Sequence, residues 1–166
     1  IMAAINTRVV HRTNALLEAE YGREFRYDEA MMTGKGLKGR ATALSIAAAL
    51  GGFAVATAIK PTRWLLEKFV VPAPGEGPDR KAQESGFYDL RFMGTTQGGQ
   101  SLMVKVTGQG DPGYGSTSLI LAQAVQCLAF DVPRARAGGF WTPASLMGEP
   151  LLERLRSEAK MTFDVV

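Results

Sequence analysis

Gly86-Phe-Tyr-Asp-Leu-Arg-Phe-Met-Gly94 and Gln100-Ser-Leu-Met-Val-Lys-Val-Thr-Gly108 both alternate apolar with polar side chains, and Thr95-Thr-Gln-Gly-Gly99 lies between them. Period-two alternation interrupted by glycine-rich turn chemistry predicts an antiparallel hairpin, around which the remaining segments must pack. Downstream, Leu119 to Phe130 is a helix apolar on nearly every side and is therefore expected to be buried. Gly138-Gly-Phe-Trp-Thr-Pro143 is a glycine-rich turn whose proline is placed to open a helix over Ala144 to Glu158. Met161 to Val166 alternates again and reads as a strand. Upstream, Val71 to Asp79 is linker-like and stiffened by three prolines. Ile1 to Glu20 has helical spacing, with Tyr21-Gly22 as its stop, and Arg23 to Ala30 alternates like a half-buried strand, with Phe25 and Tyr27 on one face. The expected fold is α+β: a mixed or largely antiparallel sheet with helices packed on one face, plus a protruding apolar helix pair.

That pair is the second informative region. Ala41 to Ile59 runs for nineteen residues without a charge, with Gly51-Gly52 expected to bend it or to mark a close-packing point, and it is followed by an amphipathic helix from Trp64 to Val71. Lys35, Lys38, Arg40, Lys60, Arg63 and Lys68 crowd the two ends. The length suffices to cross a hydrocarbon core. A strand at Arg23 to Ala30 paired in the hairpin's sheet would disfavour crossing, because it would place sheet partners on opposite sides of the bilayer. Three readings stay open: an alanine-rich core helix, a subunit interface, or an element dipping into lipid, the last two presenting Leu44, Phe53, Trp64 and Phe69.

Length and composition bound the rest. A chain of 166 residues with 46% hydrophobic and 21% charged residues fits a single domain, residues 1-166, with an apolar helical insertion at about 38-71. A net charge of +3 with no aromatic interleaving of a basic face argues against nucleic acid as a partner. The lone Cys127 has no disulfide partner, and with His11 the only histidine no metal site is expected. The start at Ile1 carries no signal peptide and suggests a piece of a longer protein.

Two glycine-rich turns offer a candidate pocket. In Asp111-Pro-Gly-Tyr-Gly-Ser-Thr-Ser118 the free amides of a helix start, with the hydroxyls of Ser116 and Thr117, could cup a phosphate, carboxylate or thioester oxygen; ordinary capping by Asp111, Ser116 or Thr117 explains the same residues. Trp141 on the second turn could close over a flat ring or alkyl chain, or be a core tryptophan. His11 could serve as a general acid or be structural. No dinucleotide fingerprint and no nucleophile with a base is present, so the chain alone is expected to be inactive as a redox enzyme.

The ordered set Asn6 to Leu17, Tyr21 to Met31, Pro72 to Pro78, Gly108 to Thr117 and Gly138 to Gly148 resembles the carboxy-terminal half of the saccharopine dehydrogenase-like oxidoreductases, and most of all their bacterial trans-acting enoyl reductase branch. The resemblance implies a Rossmann domain before Ile1 that binds NADP or NAD. It also implies that this part supplies the substrate side and a homodimer contact. On that basis the substrate-lining positions are Asn14, Tyr27, Tyr114, Ser116, Thr117 and Trp141, with no catalytic residue assigned. The expected function is reduction of a lipid-like or polyketide-like acyl substrate in the cytoplasm or at the membrane periphery, with turn amides polarising the conjugated carbonyl. The alternatives are a membrane-docking module without catalysis, and a saccharopine- or imine-type reductase. The latter needs converging arginines that Arg91 and Arg134 only partly provide.

Overall fold

The computed structural model describes residues 2–73, 75–134 and 138–166. Its elements run α1 (Ala3–Leu16), α2 (Gly36–Ala58), α3 (Lys60–Phe69), α4 (Arg80–Ser85), β1 (Phe87–Thr95), β2 (Ser101–Gln109), α5 (Gly115–Phe130), α6 (Pro143–Ser157) and β3 (Met161–Val165). The chain divides into two compact units, Ile1–Asp28 with Pro78–Val166, and Glu29–Gly77.

In the first unit the hairpin forms as the alternation predicts. β1 and β2 pair antiparallel from Phe87↔Gln109 to Thr95↔Ser101. β3 joins β2 antiparallel from Val104↔Val165 to Gly108↔Met161, giving the order β1-β2-β3. This register sorts the side chains by face. Asp89, Arg91, Lys105, Thr107, Thr162 and Asp164 share one side, where Asp89 meets Arg91 at 3.4 Å and Lys105 at 3.7 Å. Tyr88, Leu90, Phe92, Val104, Val106 and Phe163 share the other, and α6 packs against β3. Only Val106 is fully buried there; Leu90, Phe92 and Leu102, toward the hairpin turn, stay exposed.

The helical core is small. Cys127 of α5 meets Met147 and Leu151 of α6, with Ala124, Val132, Leu146 and Leu155 half-buried around them. Burial raises the Cys127 thiol pKa, so it stays protonated at neutral pH. The two helices are clamped by Arg154, which forms a bidentate ion pair with Asp131 and donates to Gln126 at 3.2 Å. The Arg154 hydrogen bonds hold the Asp131 carboxyl below the usual carboxylate range. α6 opens as Pro143 predicts, on a capping box in which Thr142 and Ser145 bond reciprocally. It then kinks at Gly148, whose φ of 45° opens the turn ahead of Pro150 and its missing N–H.

Several expectations are corrected. Arg23 to Ala30 forms no strand and joins neither open edge of the sheet; instead Phe25 packs edge-on against His11 at 5.7 Å and Tyr21 at 5.4 Å. Its alternation therefore reflects packing toward α1, which itself ends at Leu16 because Glu18 and Ala19 turn to positive φ. α5 is not buried on all sides: Ser116, Gln123 and Cys127 lie on an inner row, while Leu121, Val125 and Leu128 form an outer stripe open to solvent.

In the second unit α2 continues straight through Gly51-Gly52. The break comes instead at Ile59, extended at ψ 121°, where the start of α3 interrupts the run and Thr62 Oγ1 donates to Ala56 O at 2.6 Å and Ile59 O at 3.0 Å. α2 buries only Gly39, so it is not a core helix of its unit.

Candidate functional site

β2 ends at Gln109, and the next residue, Gly110, has a φ of 93° that permits the sharp turn into α5. The turn is pinned from α4 and from the start of β1. Gly110 N donates to Gly86 O at 2.7 Å, and Asp111 N donates to Gln83 O at 2.8 Å. The amides of Gly113, Tyr114 and Gly115 then all point at the Asp111 carboxylate, at 3.1, 2.6 and 3.0 Å. Those bonds, Gly115's above all, lower the Asp111 pKa. The cup expected at this helix start is thus filled by the chain's own anion.

That occupancy has a pH signature. The folded carboxyl titrates below its unfolded counterpart, so its stabilisation is complete above the ordinary carboxylate range and is lost as pH falls through the lowered value. Asp111→Asn is expected to lower the melting temperature at neutral pH and to flatten the acid limb of a Tm-against-pH curve. Superimposable curves for the two proteins would overturn this assignment.

Behind the turn lies a hydroxyl pair that sequence reasoning misses. Ser116 is 1% exposed, and its Oγ sits 3.0 Å from the Tyr88 phenol oxygen. Tyr88 faces Gly108 across the hairpin, and a Cβ on Gly108 would overlap its ring. The clue is a tyrosine opposite a glycine, visible only once the register is known. Thr117 Oγ1 donates to Pro112 O at 2.7 Å, and Tyr114 projects into solvent at 59% exposure. Beside the turn opens a groove of about 540 Å³ walled by Arg80, Gln83, Glu84, Gly110, Gly115 and Leu119, with Lys160 at its rim.

The other sequence-predicted residues belong to a different cluster. Asn14 is buried at the end of α1, where its Nδ2 donates to Gly22 O at 2.9 Å and its Oδ1 accepts from Tyr21 N at 2.9 Å, closing the turn after the helix. Next to it Thr13 bonds Thr142 at 2.7 Å, and Arg12 donates to Phe140 O at 2.7 Å, so the turn carrying Trp141 is anchored to α1. Tyr27 is half-buried on the segment after α1. Asn14 and Trp141 are thereby held near one interface, while Ser116 is held against Tyr88 of β1, Thr117 bonds within its own turn and Tyr114 stays in solvent. Arg91 is engaged by Asp89 on the polar sheet face.

A nicotinamide dinucleotide does not fit these residues. Its pyrophosphate needs free amides at a helix start that follows a parallel strand. Here all strands among the described residues are antiparallel, and the glycine-turn amides already bind a carboxylate whose charge would repel phosphate.

No family model matches the chain, and no solved structure matches it. Named relatives do. The chain is 40% identical over 163 residues to the trans-acting enoyl reductase of Mycobacterium tuberculosis strain H37Rv, covering 93% of this chain and 38% of that protein. The same figures hold for the trans-acting enoyl reductase of Mycobacterium bovis strain AF2122/97. That of Mycobacterium leprae is 37% identical over 161 residues, covering 95% of this chain and 38% of the relative. Over nearly all its length the chain is therefore similar to one segment of the trans-acting enoyl reductases, and it spans 38% of the length of these curated relatives.

Proposed function

We propose that this chain is the substrate-side part of a saccharopine dehydrogenase-like enoyl reductase, acting on a lipid-like or polyketide-like acyl substrate. The nicotinamide cofactor is held outside the described residues, in the remainder of a longer protein. The observation that carries the reading is 40% identity sustained across 93% of the chain to proteins named for that activity. The structure supports a binding role more than a chemical one. The groove beside the Gly110 turn is lined by the apolar Leu119 together with the charged Arg80, Glu84 and Lys160. An extended acyl chain could lie along such an open groove. The turn amides are not proposed as the group that polarises the substrate carbonyl, because Asp111 holds them.

The test is nicotinamide oxidation by the full-length protein supplied with short- and long-chain enoyl thioesters. Saturated thioester is expected to accumulate with cofactor consumption. Tight cofactor binding without turnover of any acyl class would overturn the reading.

A further inference from the structure

The second unit carries an exposed apolar surface. α2 has 23 residues, about 35 Å at 1.5 Å per residue, against a hydrocarbon core of about 30 Å. None of its apolar window is buried: Leu44 is 72% exposed and Phe53 48%. It has no polar face to turn toward water, and isolated helices of that kind are stable only in an apolar surrounding. Its ends carry a different chemistry. Within the unit, Glu29–Gly77, there are six cations, Lys35, Lys38, Arg40, Lys60, Arg63 and Lys68, and three anions, Glu29, Glu67 and Glu76, of which Glu67 is engaged by Arg63 at 3.7 Å. On α3 the Lys68 ammonium lies 4.9 Å over the Trp64 ring and 5.4 Å from that of Phe69, an amphipathic cluster of the sort found at headgroup level.

Connectivity decides how such a helix can meet a bilayer. The first unit is built from segments on both sides of the α2–α3 hairpin, stitched together by Thr13 to Thr142 and Arg12 to Phe140. The polypeptide that leaves after Asp28 must come back to the same side by Pro78. α3 cannot make that return crossing, since it is about 15 Å long and has Lys60, Arg63, Glu67 and Lys68 among ten residues. A full span by α2 is therefore excluded, although the strand expected at Arg23 to Ala30 plays no part in the reason.

We propose that the α2–α3 hairpin docks the protein on one face of an anionic lipid bilayer, with α2 sunk into the acyl region and the six basic residues on the headgroups. Charge complementarity selects this occupant: a second copy of the hairpin would bring like charges together, whereas an acidic membrane surface attracts them. The proposal stands independently of the reductase reading.

It is tested by flotation of the full-length protein with vesicles of phosphatidylcholine alone and of phosphatidylcholine mixed with phosphatidylglycerol. The protein is expected to float with the mixed vesicles and to do so less in high salt. Leu44→Asp with Phe53→Asp should lower the partition coefficient at least about a hundredfold while leaving the melting curve unchanged. Lys35→Glu, Lys38→Glu and Arg40→Glu together should lower it about tenfold on mixed vesicles only. Failure of the wild type to float would overturn the proposal, as would flotation of the aspartate variant. So would an aspartate variant that melts earlier or changes its oligomeric mass, since either places α2 against protein instead of lipid. Turnover of a water-soluble short enoyl thioester, measured on the same preparations, separates a failed docking surface from a failed reductase.

Discussion

Leu151→Ala is expected to destabilise the first unit by about 2–5 kcal/mol, the range for truncating a buried leucine whose surroundings cannot collapse into the space. The expectation rests on how little else is buried. Among the described residues the apolar interior consists of Val106, Cys127, Met147, Leu151 and Ala159. Leu151 sits in the α5–α6 contact with Cys127 and Met147, just beyond the Gly148 kink, where Pro150 limits how far the helix can follow a shrinking neighbour. A loss of that size is a large share of the few kcal/mol that hold a domain folded. Urea unfolding measures it, with Leu128→Ala as the comparison. Leu128 lies on the outer stripe of α5, so its truncation should stay within about 0.5 kcal/mol. Equal losses at the two positions would show that the outer stripe is covered and that the interior is drawn in the wrong place.

Gly86→Ala should be strongly destabilising for a change of one methyl group. Its Cβ would lie 2.6 Å from both Cα and N of Asp111, which are backbone atoms and cannot swing aside. Gly86 also accepts the Gly110 amide at 2.7 Å, so the strand start and the turn cannot separate without losing that bond. Forced overpacking of this kind costs about 1–3 kcal/mol. It would also displace the carboxylate that organises residues 113–115, so the acid limb of the melting curve should change with it. Gly51→Ala is the contrasting case: no atom lies within 4 Å of the added carbon, and in a helix interior alanine should stabilise by about 0.5–1 kcal/mol. A Gly86→Ala protein as stable as the wild type would mean that the turn is not pinned to β1.

Legibility from sequence followed the range of the interactions involved. The hairpin was legible because alternation and turn residues act over a few positions, and the third strand for the same reason. Pro143 marked the start of α6 through its own fixed φ, but the kink at Gly148 was not, because a lone glycine ahead of Pro150 is also compatible with a plain helix end. Arg23 to Ala30 shows the limit of periodicity. Alternation reports that one side of an extended segment is covered and does not say by what, so Phe25 on His11 and Tyr21 gives the same pattern as a strand would. α5 failed in the other direction, since an all-round apolar helix in isolation cannot reveal which flank this segment leaves open. At the site, the turn and its polar residues were legible as chemistry, whereas the self-filling of the amides by Asp111 and the Tyr88–Ser116 contact depend on register and distance.

The bond between Thr13 and Thr142 spans 129 positions of sequence. On a ribosome adding roughly 5–20 residues per second, α1 waits about 6 to 26 seconds for the partner that completes it. Residues 41–59 are completed within that interval, 83 positions before Thr142, so the greasy hairpin is made before the first unit can close.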